Sequence, residues 1–517
     1  METKPSQRER LLRYAAENYG TTPEYPWDGT PDAAVLRHPG NQKWYGLLMR
    51  IPSEKLGLAP DGTADILNVK CSPLETGSLR QKPGIFPAYH MNKTHWITIL
   101  LDGTLPEPEL FWLLDESYTL TMPKPRKRKR GIPMKIWNAT IHTMTDRGVI
   151  ENGYVCIEDG KITAVESGRP AELAPEDIDA AGSLLLPGFI DAHTHLGIIE
   201  NGIAFEGDDC NEATDPFTPH LRVIDGVNPL DRCFQEAREA GVTTVMTSPG
   251  SANTCGGAMA ILKTAGRMVD RMCIGTGMKF ALGENPKSVY NDRDETPITR
   301  MATAAIIREG LAKAQRYQQE LDFAESDPDE HMPDYDAKSE ALLPLLERDV
   351  KAHFHCHRAD DICTAIRIAK EFNLDYVIVH GTEGYEIADI LAEEEAPVIV
   401  GPMLCDRCKP EMQNLNLQNP KILQKNGVQI ALCTDHPVIP IQYLPTTAAL
   451  AVKGGMSREN ALRAITAGAA EILGVADRVG SIAAGMDADL QLYHGDPLDL
   501  LCDPWLVLID GNAVVKR

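Results

Sequence analysis

Four short segments put imidazoles and carboxylates side by side at strand spacing. Asp191-Ala192-His193-Thr194-His195 carries histidines at i and i+2, and His353-Phe354-His355-Cys356-His357 carries three at the same interval. His380 precedes Gly381-Thr382-Glu383, and Thr434-Asp435-His436-Pro437 supplies a carboxylate beside a further imidazole. Residues i and i+2 of an extended strand face the same way, so His193 and His195 project together, as do His353, His355 and His357. Adjacent imidazoles suit a divalent metal and little else. Such an ion lowers the pKa of bound water towards ~7, and a neighbouring carboxylate can take the proton. A lone histidine is more often a core or surface residue than a ligand, but at least six of the 14 histidines crowd into these few segments. Arg358, directly after His357, could grip a substrate carboxylate with both guanidinium nitrogens, or form a salt bridge to Asp360, Asp361 or Glu383. His357 and His436 are candidates to line a pocket and touch substrate.

Each segment ends a short apolar run. The runs are 184–190, 242–247, 273–282, 350–356, 376–380, 397–401 and 428–434, with amphipathic stretches at 229–240, 361–372 and 385–394 between several of them. Alternating strands and helices over ~290 residues predict a parallel sheet closed as a (β/α)8 TIM-like barrel, whose active site lies at the C-terminal ends of the strands. The flanks read as strands, with turns at Asp159-Gly160 and Asp510-Gly511. Two strand-rich flanks around one long middle predict a small β-sandwich domain built from both. The expected order is an α+β domain over 1–122, a linker over 123–133, sandwich over 134–186, barrel over 187–474 and sandwich again over 475–517. The acidic stretch Glu320–Asp336 is expected to be an oversized surface loop.

The chain has 517 residues, 43% hydrophobic and 24% charged, the balance of a globular protein. Its net charge of −23 argues against coating nucleic acid. The exception is Lys124-Pro125-Arg126-Lys127-Arg128-Lys129-Arg130, which should be an extended, solvated linker and could touch phosphate locally. No apolar run approaches the ~18 residues of a membrane span. Met1–Arg10 is polar, unlike a secretory signal. The 12 cysteines are scattered without framework spacing, so reduced thiols in the cytoplasm are expected. Cys405-Asp406-Arg407-Cys408 is a single C-x-x-C, weak as a zinc signal.

Residues 134–517 resemble the amidohydrolase superfamily, specifically its imidazolonepropionase-like metal-dependent hydrolases. The motifs are PGFIDAHTHLG (187–197), AGVTTVMTSPG (240–250), HCHRADDI (355–362), VIVHGTEGY (377–385), TDHPV (434–438) and GSIAAGMDADLQLYHGDPL (480–498). The resemblance implies cleavage of a C–N bond in a small molecule, with one or two divalent metals, zinc above all. His193 and His195 would bind the more buried ion, His355 and His380 match further ligands, and Asp435 would be both ligand and general base. A bridging ligand is expected from Gly277–Pro286, either Lys279, as a carboxylated lysine, or Glu284. Deaminases and imidazolonepropionases of the superfamily carry a glutamate three residues after the strand-five histidine; here that position is Arg358. A guanidinium cannot exchange protons near neutral pH, which weakens both of those readings. Relatives of this kind are often homo-oligomers.

Residues 7–121 resemble the MmcQ/YjbR-like family, on Leu67–Pro73, Gly84–Gly103 and Leu110–Leu120. The resemblance implies an α+β fold often called DNA-binding on shape alone. Tyr89, His90, Lys93, His95 and Trp96 place cations beside aromatics, a pattern fit either for base stacking or for a strand with a structural tryptophan. The expected activity is a metal-dependent amidohydrolase. The alternatives are a mononuclear deaminase-like enzyme and a nucleic-acid-associated protein with the N-terminal domain as its binding module.

Overall fold

Leucines, isoleucines and valines alternate through both ends of this chain, and in the computed structural model they pair into sheets. The structure describes residues 5–27, 30–38, 43–59, 62–121, 134–326 and 333–517; the basic linker lies outside them. The chain divides into two units, Met1–Arg128 with Ala312–Pro344, and Lys129–Leu311 with Leu345–Arg517. No helix among the described residues is long and apolar enough to cross a membrane.

In the first unit, strands β1 (Ala34–Arg37), β2 (Trp44–Pro52), β3 (Thr63–Lys70), β4 (Ile85–Pro87) and β5 (Trp96–Leu100) form an antiparallel sheet in the order β1-β2-β3-β5-β4. Helices Gln7–Tyr19 and Glu107–Thr121 contribute Leu11, Ala15, Leu110 and Leu114 to one core with Leu48, Leu67, Ile97 and Ile99 of the sheet. Ser6 and Glu9 form a reciprocal capping box at the first helix, a feature worth about 1 kcal/mol. Trp96 is buried at the head of β5, so its ring serves the core and offers no exposed stacking face. The acidic stretch departs from the loop expected over its first seven residues; residues 327–332 lie outside the described residues, and 333–336 carry no helix or strand. Helix Arg300–Ser326 runs through its first seven residues, because Leu321 follows Tyr317 at i+4 and both are buried, continuing the apolar stripe that the acidic count had masked.

In the second unit, β6 (Met134–His142), β7 (Val149–Glu158), β8 (Lys161–Ser167), β9 (Ile178–Asp179) and β10 (Leu184–Pro187) join β19 (Leu490–Tyr493), β20 (Leu506–Ile509) and β21 (Asn512–Lys516) in one sheet. The two flanks meet where β10 pairs β19 antiparallel and β6 parallel. Asp159-Gly160 and Asp510-Gly511 both have positive φ and turn their hairpins, as expected. The apolar run 184–190 is shared, since Gly188 separates β10 of this sheet from β11 (Phe189–Thr194) of the barrel.

The barrel continues with β12 (Val242–Thr247), β13 (Cys255–Lys263), β14 (Cys273–Ala281), β15 (Ala352–Cys356), β16 (Tyr376–His380), β17 (Val398–Val400) and β18 (Ile430–Leu432), in sequence order. Backbone bonds from Asp435 to His193 (3.1 Å) and from His195 to His436 (2.8 Å) join the loop after β18 to the end of β11. One strand departs from the parallel expectation: β13 runs antiparallel to both β12 and β14. The connection before it, 248–254, is too short for the dozen or so residues a parallel crossover needs, so the chain must turn straight back. Helices Ala359–Glu371, Ala388–Glu393, Asn419–Lys425 and Leu444–Lys453 follow β15, β16, β17 and β18. Val379, Ile399 and Ala431 share the face of His355 through the parallel register, and they pack in one apolar cluster with Ala469, Ala470 and Ile472. The barrel is thus filled with apolar side chains below its imidazoles.

Candidate metal centre

Regular pleating alone would not assemble the site. His380 pairs with Cys356, opposite in face to His355, but its φ of 74° breaks the alternation at the end of β16. Asp435, just past β18, has φ of 56°. The register between β11 and β12 shifts between Asp191 and Thr194, beside His193. Positive φ in residues other than glycine costs of order 1 kcal/mol, and such strain concentrates where side chains must be aimed. Asp191 holds this corner together. Its buried carboxylate accepts bonds from Thr434 Oγ1 (2.5 Å), Thr434 N (3.2 Å) and His193 N (3.3 Å). Burial raises its pKa to about 7 despite those bonds.

Two groups result, each with its ligand-type atoms within 4.8 Å of one another: His193, His195 and Asp435, and His355, His357 and His380. Asp435 Oδ1 lies 3.4 Å from His195 Nε2 and 3.6 Å from His193 Nε2. Two ligands of a tetrahedral ion, each about 2.0–2.1 Å from it, are about 3.4 Å apart. The outer ring nitrogens are engaged. His195 Nδ1–H donates to the Ser248 carbonyl (2.7 Å) and His380 Nδ1–H to that of Gly401 (2.6 Å), so that each Nε2 faces the site. His357 Nδ1 meets Thr382 Oγ1 at 2.7 Å, and His355 Nδ1 meets Ser251 Oγ at 2.9 Å.

The electrostatics fit a cation. Burial drives His193, His355 and His380 well below the usual imidazole pKa, so they are neutral donors. Burial would raise Asp435, but its contact with His195 and the charges of His195 and Lys279 outweigh this and hold it at about 2, ionised. Asp435 Oδ1 has no hydrogen-bond partner in a buried setting; a carboxylate oxygen so placed is costly unless an ion meets it. Lys279 is fully buried on β14, with Nζ 3.3 Å from His193 Nε2, and burial lowers its pKa to about 8.

The other expected residues lie as follows. Glu284 begins helix Glu284–Asn291, and its Oε2 accepts the Glu411 N–H at 3.1 Å rather than meeting the imidazoles. Arg358 is not brought to the centre: its guanidinium is held by Asp360, with Nε–Oδ1 and Nη2–Oδ2 both 2.9 Å. His436 is buried, with Nδ1 accepting the Ile441 N–H at 3.1 Å and Nε2 left unpartnered. His353 sits lower in the barrel against Gly277, outside both groups. The cysteines of 405–408 form no disulfide, and neither do the other ten. Sequence reasoning passed over Glu411, whose Oε1 is 3.6 Å from His357 Nε2 and 3.8 Å from His355 Nε2. No periodicity marks it, since it sits in a loop.

The amidohydrolase family model matches residues 184–516, and the chain belongs to that family. The YjbR model matches residues 16–120, and the BsNagA composite domain model residues 138–183. Amidohydrolase TasK of Hapsidospora irregularis is 32% identical over 391 residues, 70% of this chain and 40% of that protein, so the chain spans under half of that relative. An imidazolonepropionase of Caldanaerobacter subterraneus is 24% identical over 381 residues, 68% of this chain and 86% of the relative. The crystal structure of an amidohydrolase from Thermotoga maritima MSB8 superposes with a TM-score of 0.72 at 41% identity, covering 74% of this chain and all of that one.

Proposed function

We propose that this chain is a metal-dependent amidohydrolase that cleaves a C–N bond, an amide or cyclic amide, in a small molecule. His193, His195, Asp435, His355 and His380, joined by Lys279 if it is carboxylated, would hold one or two divalent ions, zinc above all. When bound, such an ion lowers the pKa of water and polarises a carbonyl oxygen. Asp435 is the general base. Ionised and fixed by its backbone bond to His193, it takes a proton from the attacking water on a carboxylate oxygen. It then returns that proton to the departing nitrogen. His357 and His436 line the mouth and orient substrate. Arg358, committed to Asp360, is left out of the assignment.

The observation that carries this reading is the unpartnered Oδ1 of Asp435 at ligand spacing from two imidazoles. Similarity to an imidazolonepropionase puts cyclic amides in the substrate panel, beside N-acyl amino acids and dipeptides. The test is elemental analysis of protein purified without chelator and with bicarbonate, then turnover of that panel by the wild type and Asp435→Asn. One or two ions per chain are expected, with turnover of the variant reduced at least ~10²–10⁴-fold while its melting temperature holds. Retained turnover would overturn the general-base role.

A further inference from the structure

The reaction proposed above leaves unused a buried carboxylate that faces the imidazoles. Glu411 lies in the single turn Pro410–Met412, in the loop after β17, and is 1% exposed. Its two oxygens have different surroundings. Oε2 accepts the Glu284 N–H at 2.9 Å, and the Glu284 carboxylate accepts the Glu411 N–H at 3.1 Å, so a reciprocal clamp fixes the side chain. Oε1 has no hydrogen-bond partner, and it points at the Nε2 atoms of His357 and His355, 3.6 and 3.8 Å away. The separations lie within a few tenths of an ångström of the roughly 3.4 Å between two ligands of one tetrahedral ion. His380 closes the group: its ring centroid is 4.5 Å from those of both His355 and His357, and its Nδ1 is engaged by a carbonyl, leaving Nε2 available.

We propose that Glu411 is the anionic ligand of a divalent cation held by His355, His357 and His380, with the backbone N–H of Glu284 orienting its carboxylate. This rests on the metal-dependent reading above and extends it. The second group then carries its own carboxylate, as the first carries Asp435, and holds its ion whether or not Lys279 is carboxylated. His357 becomes a ligand instead of a substrate contact. Three imidazoles and a carboxylate form an N/O set open to zinc, cobalt, manganese or iron.

The test is calorimetric titration of Co(II) and Zn(II) into the chelator-stripped full-length chain, with cobalt absorption read in parallel. The wild type should bind about two ions. Glu411→Gln and His357→Asn should each weaken one of them at least ~100-fold, the upper end for perturbing groups around a metal, and leave the other unchanged. His193→Asn should weaken the opposite ion. Two variants guard against one failing to fold, which circular dichroism would report. Two ions bound at wild-type affinity by either folded variant would overturn the role of Glu411. A single wild-type ion that survives Glu411→Gln would also overturn it, while leaving a mononuclear hydrolase standing. A wild type that takes up no ion would overturn the metal-dependent reading as well.

Discussion

Lys279 shows how burial prepares a side chain for chemistry that water would suppress. An exposed lysine is almost wholly protonated near neutral pH, and an ammonium cannot add carbon dioxide. Burial lowers Lys279 to about 8, against partial support of its charge by Asp435, so a useful fraction of neutral amine exists near neutral pH. Its Nζ already faces His193. Metal-stripped wild type reloaded with zinc should therefore recover turnover faster and further with bicarbonate than without. Lys279→Ala should lose at least ~10²-fold in turnover and any bicarbonate dependence, since a ligand's misplacement by ~1 Å already costs that much. Bicarbonate dependence that persists in Lys279→Ala would remove the carboxylated lysine from the site. The contrast between Lys279 and Glu411 also marks what a sequence discloses at this scale. The histidines and Asp435 end apolar runs at fixed spacing, so their types and positions speak together. Glu411 sits in a loop among other charges, and only the fold of that loop over β15 and β16 gives it meaning. Arg358 marks a different limit. The sequence offers its guanidinium either a substrate carboxylate or a nearby acid, and in the structure Asp360, two residues on, pairs with it.

At the scale of elements, the junction of β13 with the sheet formed by both flanks depends on charge as much as on packing. Lys263, 3% exposed at the end of β13, contacts Asp487 (2.7 Å), Asp489 (3.0 Å) and Asp510 (2.6 Å). Lys161 and Arg478 reach Asp487 as well, at 2.5 and 3.0 Å. Burial would raise the Asp487 pKa, but bonds from Lys161 and Lys263 and the charges of Lys263 and Arg478 outweigh it and hold the carboxyl at about 2. A folded-state pKa below the unfolded ~3.9 means the folded state binds fewer protons. The stabilisation is then complete above about pH 4 and disappears as pH falls towards 2. Asp487→Asn should cost about 3 kcal/mol at neutral pH, the scale for breaking a buried pair. In urea titrations the gap to wild type should stay constant down to about pH 4 and shrink below it; a gap that widens in acid would refute the assignment. Strand β13 is also where sequence reading of the fold stopped short. Cys255-Gly256-Gly257-Ala258 weakens the strand signal with two glycines, so seven apolar runs stand out where eight strands form. The Asp-Gly hairpins and the strand-ending histidines were legible because turn chemistry and period-2 spacing are local. The reversal of β13 follows from loop length, and the helix through Glu320 follows from an apolar stripe beneath an acidic surface.

At the scale of the whole molecule, the first unit joins residues far apart in sequence, and one ion pair fixes them. Arg80 Nη1 donates to Glu340 Oε2 at 2.6 Å across 260 residues, with side chains 2% and 6% exposed. Glu340 Oε1 also accepts from the Tyr317 hydroxyl at 2.7 Å, so both carboxylate oxygens are satisfied. A buried pair of this kind does not by itself argue for stability, because desolvating two charges offsets most of their attraction. Removing one partner is different: it leaves the other charged, buried and unmatched. Glu340→Met should therefore destabilise the first unit by about 3–5 kcal/mol, and Arg80→Met should cost a comparable amount. The double variant, Arg80→Met with Glu340→Met, should recover most of the loss, because neither charge is then left buried alone. Denaturant unfolding of the full chain, followed by a probe in residues 5–121, measures all four corners of the cycle. A double variant whose loss equals the sum of the two single losses would show that the two side chains act independently, and that packing rather than this pair holds residues 312–344 within the unit.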